Sequence, residues 1–231
     1  MATATKTTPT ERVVVNNEPE VNALDSLQFQ YEKNKKTINT AATVILLAVA
    51  GFFAWRFYNS SRNEKAATAV SYAQRYFESD SASKALNGDG QHSGFLKVMK
   101  KFSGTKTANL CHYYAGVCYI KLGDYKNAIK QLEDFDGEGT PVGMAAKGAL
   151  GDAYMETGKM KDAIEAYEDA AADKDNIALT PMFLYRAGLA YEADKQPKKA
   201  ADAYRRVRDE FPTSPQARDM DKYLARLGEL E

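Results

Sequence analysis

NLCHYYAGVCYIKLGDYKNAIKQLE, residues Asn109–Glu133, is the stretch whose reading decides the fold. It falls into two halves around Leu122-Gly123-Asp124. Small and apolar residues recur at helical spacing in both halves, which predicts two short amphipathic helices joined by a tight turn. Gly123 suits the left-handed position that ends a first helix, and Asp124 supplies a carboxylate to cap the second. Ala115, Gly116 and Ala128 are small enough to let the two helices approach closely. Tyr119, Tyr125 and Leu132 fill the space around them.

The unit recurs downstream. Gly116, Gly151 and Gly188 are 35 and 37 residues apart, and each is followed three positions later by Tyr119, Tyr154 and Tyr191. Twelve positions after the glycines stand Ala128, Ala163 and Ala200, and four further on Leu132, Tyr167 and Tyr204. Gly123 returns as Gly158 and becomes Lys195 in the third unit, where Pro197 follows and a less regular turn is expected. A helix–turn–helix unit in register three times, at a period near ~34 residues, resembles the tetratricopeptide repeat (TPR). The expected fold class is therefore all-α, a TPR solenoid. Residues 109–213 hold three units, and a C-terminal capping helix follows over 214–231. That helix places Ala217, Met220, Leu224 and Leu227 on one face and Arg218, Asp219, Lys222 and Arg226 elsewhere, as the end of a repeat array requires. Thr140-Pro141, Thr180-Pro181 and Ser214-Pro215 each set a hydroxyl before a proline and read as helix starts.

Upstream the chain changes character. Thr37–Trp55, TINTAATVILLAVAGFFAW, carries no charge over 19 residues. At 1.5 Å per residue it is long enough for a hydrocarbon core of about 30 Å. Thirty-six residues precede it, more than a secretory signal peptide has before its apolar core. A single transmembrane helix is assigned to 37–57. Trp55, Phe57 and Tyr58 form an interfacial aromatic belt and Arg56 snorkels beside them. Lys33, Lys35 and Lys36 outweigh Arg56 close to the span, which places the N-terminus in the cytoplasm and the repeats across the membrane. Met1–Lys36 is polar, with five basic and five acidic residues, and reads as a mostly disordered tail. Leu24, Leu27 and Tyr31 allow one apolar stripe on a short helix near the membrane. Residues 58–108 read as an irregular first helical pair. Its stripes are Ala66, Val70, Ala73, Phe77 and Phe95, Met99, Phe102, with Leu86–Gly94 as an enlarged turn between them.

The 231-residue chain balances 31 lysines and arginines against 31 aspartates and glutamates, so no global basic field points to nucleic acid. The charge is uneven: Tyr58–Ala108 has eight basic and four acidic residues, Asn109–Thr180 seven and thirteen. The acidic middle suits either a solvated helix surface or the docking of a basic partner.

Catalytic and metal-binding patterns are missing from the sequence. Cys111 and Cys118 lie seven apart on one helix, roughly 10 Å along its axis, too far to pair with each other. His92 and His112 lack cysteine or acidic partners at metal-ligand spacing. The Leu86–Gly94 loop has Val98 where a calcium loop counted from Asn87 needs an acid. Gly104-Thr105-Lys106-Thr107 is not a phosphate loop, and no hydrolase, zincin or dinucleotide motif occurs. The expectation is a protein that is not an enzyme, without cofactor, metal or small-molecule substrate.

Binding is the positive reading. First helices line the concave face of such a solenoid, and the fifth, ninth and twelfth places of each unit face inward. These hold Tyr113, Val117 and Ile120; Gly148, Asp152 and Met155; and Tyr185, Leu189 and Glu192. Tyr113, Val117, Ile120, Asp152, Met155, Tyr185, Leu189 and Glu192 are the candidate peptide- or protein-binding residues. The groove is either free for an extended or helical peptide or filled by the chain's own terminal helix or by repeat-to-repeat packing.

One uncleaved apolar helix leaving the membrane as AWRFYNSSR, Ala54–Arg62, followed by degenerate repeats, resembles the YfgM-type ancillary subunit of the bacterial Sec translocon. Trp55, Arg56, Phe57, Tyr58 and Asn59 match that family's membrane-exit run. Ala85–Leu96 and Gly104–Ile129 look like its Bacteroidota version. The resemblance covers Lys33 to the C-terminus. It implies a single-pass protein of the bacterial inner membrane with a periplasmic repeat domain. Such a domain associates with the SecYEG translocon and a membrane-anchored chaperone or prolyl isomerase, as an adaptor in protein export. The alternatives are a structural scaffold of another envelope complex and an independent periplasmic holdase chaperone.

Overall fold

A computed structural model of the chain describes residues 23–229. It comprises two compact units divided between Trp55 and Arg56. Residues 1–22 of the expected tail lie outside the described residues. From Ala23 onward the chain is helical: α1 spans Ala23–Glu78. The disordered reading of 23–36 is therefore corrected. That segment has neither glycine nor proline and is rich in good helix formers, so it extends a helix whose nucleation the apolar run has already supplied. Leu27 and Tyr31 are exposed, and the side chain of Leu24 is outside the described residues.

In the first unit, the apolar run is uncovered among the described residues. Its 18-residue window has a mean hydropathy of 1.9 with none of it buried. A core helix of a soluble protein would be mostly covered; this one is long and apolar enough to cross a membrane. Thr40 and Thr43 donate their hydroxyls to the carbonyls of Lys36 and Asn39, each at 2.8 Å.

In the second unit, α1 continues from Arg56 and is followed by α2 (Ala82–Asn87), α3 (Phe95–Lys101), α4 (Lys106–Lys121) and α5 (Tyr125–Glu133). Then come α6 (Pro141–Glu156), α7 (Met160–Ala170), α8 (Thr180–Ala193), α9 (Pro197–Glu210), a 3-10 turn (Gln216–Asp219) and α10 (Met220–Leu227). The described residues form helices and no strand. The pairs α4–α5, α6–α7 and α8–α9 are the three repeats expected from the glycine register.

The register has a packing cause. Each first-helix glycine faces the side chain sixteen positions later. A Cβ on Gly116 would come within 2.5 Å of Leu132, on Gly151 within 2.6 Å of Tyr167, and on Gly188 within 2.3 Å of Tyr204. Ala128, Ala163 and Ala200 are each 0% exposed at the crossing. The turns are equally uniform. The backbone N–H of Asp124, Lys159 and Gln196 each donates at 2.9 Å to the carbonyl of Tyr119, Tyr154 and Tyr191. The residue before each donor is left-handed: Gly123 at φ 74°, Gly158 at 73° and Lys195 at 58°.

The same hydrogen bond reveals a fourth pair. The N–H of Ser81 donates to the carbonyl of Tyr76 at 2.8 Å, and Asp80 occupies the left-handed position at φ 58°. Ala73 and Ala85, both 0% exposed, then stand where the later pairs have glycine and alanine. The first pair is thus the end of α1 with α2. The expected enlarged turn at Leu86–Gly94 is corrected: the turn is 79–81, and the glycine-rich loop interrupts the second helix, splitting it into α2 and α3. A Cβ on Gly88 would lie 2.3 Å from the carbonyl oxygen of His92, so the loop is closed too tightly to continue a helix.

Two of the three hydroxyl–proline starts cap as expected. Thr140 Oγ1 accepts from the N–H of Gly143 at 3.0 Å, and Ser214 Oγ from that of Ala217 at 3.2 Å. Thr180 instead donates its hydroxyl to the carbonyl of Asp173, and Asn176 Oδ1 accepts from the N–H of Leu179 at 2.9 Å. Asp124 caps α5, accepting from Asn127 at 3.2 Å. At the C-terminus, Met220 and Leu224 are 1% and 0% exposed, sunk into the core formed by α6–α9.

Candidate protein-binding groove

Four of the inward-facing residues meet. Ile120 of α4, Asp152 and Met155 of α6, and Leu189 of α8 line one pocket of about 450 Å³. Three successive repeats contribute to it, one turn of each first helix per repeat. Leu189 is 36% exposed, Ile120 and Met155 half-buried. Tyr125, Glu156, Tyr167 and Arg186 complete the wall.

The charge in the pocket is committed. Arg186 donates to Asp152 Oδ1 at 2.6 Å and also reaches its second oxygen. The Tyr167 hydroxyl donates to the same Oδ1 at 2.6 Å. Burial, and then the Asp152 carboxylate, push the Tyr167 phenol well above its ordinary value. Asp152 therefore orders the wall, while Glu156 at the rim is exposed. Arg186 was not among the sequence candidates. It sits three residues before Leu189 on α8 and meets Asp152 of the preceding repeat across the pocket.

The other candidates lie elsewhere. Tyr113 packs on Tyr114 and Phe135, with ring centroids 5.3 and 5.9 Å away. Val117 is half-buried outside the pocket. Gly148 is buried beneath the next repeat: a Cβ there would stand 1.9 Å from Phe183. Tyr185 and Glu192 are engaged by α10. The Tyr185 and Tyr223 hydroxyls are 2.6 Å apart. Glu192 accepts from the Tyr204 hydroxyl at 2.5 Å and from Arg226 at 2.6 and 2.8 Å.

The chemically reactive residues are spent on structure. Burial pushes the Cys111 thiol up to about 12 and Cys118 up to about 11, far from a reactive thiolate. His112 contacts Gln131 at 3.0 Å. His92 does have an acidic partner, Asp89, 2.9 Å from Nδ1 and three residues earlier, and it stacks on Tyr72 with centroids 3.5 Å apart. Asp89 also accepts from the Tyr76 hydroxyl at 2.6 Å and from the backbone of Gln91 and His92. Those donors hold its carboxyl well below the usual range, the Tyr76 bond foremost. This is a staple for the loop. Among the described residues no three metal-ligating side chains gather.

A larger cavity of about 740 Å³ lies between α3, α4 and the α5–α6 loop, floored by Met99, Leu110, Phe135 and Val142. It contains none of the inward-facing residues, because it opens between the helix N-termini instead of along the first-helix faces.

Comparison with known proteins agrees with this geometry. Residues 115–177 and 149–215 match the family model described as tetratricopeptide repeat. No curated protein matches the chain. Among solved structures, the chain is similar to nearly identical TPR-like repeats of a Podosopora anserina protein described as a kinesin light chain. That match has 17% identity and a TM-score of 0.57, and covers 73% of this chain and 87% of that one. It is also similar to a double mutant of MamA from RS-1, at 22% identity and TM-score 0.51, covering 72% and 86%. These likenesses show the fold. Residues 115–215 of this all-helical chain are tetratricopeptide repeats, the architecture of a protein–protein interaction scaffold.

Proposed function

We propose that the protein is a membrane-anchored, non-enzymatic adaptor that holds a segment of another protein in the groove between α4, α6 and α8. The observation that carries this is the convergence of Ile120, Met155 and Leu189 from three repeats around a pocket in which Asp152 is matched by Arg186. An apolar floor with its polar groups satisfied receives an apolar side chain without stranding a charge. Met and Tyr suit a partner of variable sequence.

The apolar run of α1 tethers this groove to the bacterial inner membrane, N-terminus cytoplasmic and repeats periplasmic, raising its effective concentration for chains there. The resemblance to YfgM-type subunits points to the SecYEG translocon and a membrane-anchored chaperone or prolyl isomerase as partners. The test is a mild-detergent pull-down of the full-length protein against its Leu189→Lys variant. Enrichment of the Sec channel or the isomerase with the natural protein, lost with the variant, supports the proposal. Enrichment of a different envelope complex supports the scaffold alternative, and a partner-free preparation supports the holdase.

A further inference from the structure

Five basic side chains, Arg62 of α1 and four between Lys97 and Lys106, gather where α3 and the start of α4 are fastened to α1. On α3, Lys97, Lys100 and Lys101 are exposed on the side away from the buried Phe95 and Val98. Arg62 Nη2 donates to the carbonyl of Lys101 at 3.3 Å, which fastens the end of α3 to α1. Asn63 Oδ1 accepts from the N–H and the hydroxyl of Thr107 at 2.9 and 3.0 Å, which sets Lys106 beside the same turn of α1. Arg62 follows Arg56 by six residues, so it is about 9 Å along the helix axis from the membrane exit. Phe57 and Tyr58, the belt residues between them, are 79% and 63% exposed.

None of the five cations forms an ion pair among the described residues. The acidic groups of this region are turned to other work. Asp80 pairs with Lys121, and Asp89 is held by Tyr76 and His92. Glu64 is two residues from Arg62, about 200° around the helix. Glu78 is at the far end of α1. Asp136 shares the larger cavity with Lys106 but makes no ion pair with it. Arg62, about 9 Å along α1 from Arg56, is within one Debye length of the end of the apolar run, where an unmatched cation adds to attraction by anionic lipid.

We propose that this face, built from Arg62, α3 and Lys106, rests on anionic phospholipid headgroups of the membrane that α1 spans. The inference rests on the spanning reading of α1 and holds for either orientation. Lipid contact would fix the first helical pair at the bilayer, leaving the groove of the later repeats to face other proteins.

The test uses the full-length chain in lipid nanodiscs of phosphatidylcholine alone or with phosphatidylglycerol, followed by amide hydrogen exchange over residues 95–107. Exchange slowed at least about threefold by phosphatidylglycerol is expected. The protection should vanish at about 1 M salt, where the Debye length is about 3 Å. It should also vanish in the Lys97→Glu/Lys100→Glu/Lys101→Glu variant, with exchange in α8 and α9 unchanged. Equal exchange in both disc types overturns the proposal. Protection that arises only when an acidic protein is added assigns the face to that partner and also overturns it. Failure of the chain to enter nanodiscs at all overturns the spanning reading instead, so the two failures are distinct.

Discussion

The groove between α4, α6 and α8 and the end of the solenoid under α10 occupy equivalent places in the repeat, yet the first opens on a pocket of about 450 Å³ and the second, where α10 packs, on one of about 210 Å³. In the middle, Ile120, Met155 and Leu189 surround an open pocket. At the end, Tyr185 meets Tyr223 hydroxyl to hydroxyl, and the rings of Tyr204 and Tyr223 are 5.1 Å apart. Glu192 is held by Tyr204 and Arg226. Each repeat covers the flank of its neighbour. The last has no neighbour, so α10 takes that place and draws the inward-facing Tyr185 and Glu192 into the seal. An inward-facing place stays open only where no terminal element packs on it.

The largest expected effect breaks the sealed end. Leu224→Ala removes a side chain that is 0% exposed and should cost about 2–5 kcal/mol in urea denaturation followed by far-UV circular dichroism. Leu189→Ala, at a site 36% exposed, should stay within about 0.5 kcal/mol. Equal losses at both would mean that the groove is as much core as the seal.

Gly148→Ala comes next. Its Cβ would collide with Phe183 at 1.9 Å, so α8 must shift, at about 1–3 kcal/mol by the same measurement. A neutral result would show that the neighbouring repeats slide freely and that the pocket has no fixed shape.

Alkaline pH separates the two regions more gently. Burial, and then the hydrogen bond with Tyr223, push the Tyr185 phenol up to about 12, against about 10 in an unfolded chain. Between those values the unfolded state loses its proton first, so stability is full below about pH 10 and falls as pH rises toward 12. In Tyr223→Phe that fall should be shallower. An unchanged slope would show that the hydroxyl pair does not sense the seal.

The smallest effect is at the third turn. Lys195 holds φ 58° where Gly123 and Gly158 hold the matching places. Left-handed strain of about 1–2 kcal/mol for a side-chain residue exceeds the added chain entropy of glycine, about 0.5–1 kcal/mol. Lys195→Gly should therefore raise stability by about 0.5 kcal/mol, read as an increase in the melting temperature.

Much of this fold was legible because the repeat writes its packing into spacing. Gly116, Gly151 and Gly188 must be small for the residue sixteen positions later, and Gly123 and Gly158 must adopt positive φ, so both signals survive in a bare sequence. The first pair was harder to read because Ala73 replaces the glycine and Asp80 the turn glycine; neither type is diagnostic alone, and only the shared hydrogen bond to Tyr76 aligns them. Within 23–36 only a short helix carrying Leu24, Leu27 and Tyr31 is legible, because the polar composition suits a tail as well as a solvated helix. Counting places brings Ile120, Asp152, Met155 and Leu189 to one pocket. It does not say what packs on top, so it does not show that Tyr185 and Glu192 meet α10, and Arg186 is not legible because its place depends on Asp152 in the preceding repeat.

The most direct measurement of the central claim is photo-crosslinking in cells, with a photoreactive phenylalanine analogue at position 189 or at position 223 of the full-length protein. A free groove and a sealed end predict adducts with another protein from position 189 and none from 223. Adducts from 223 alone, or equally from both, would contradict the account.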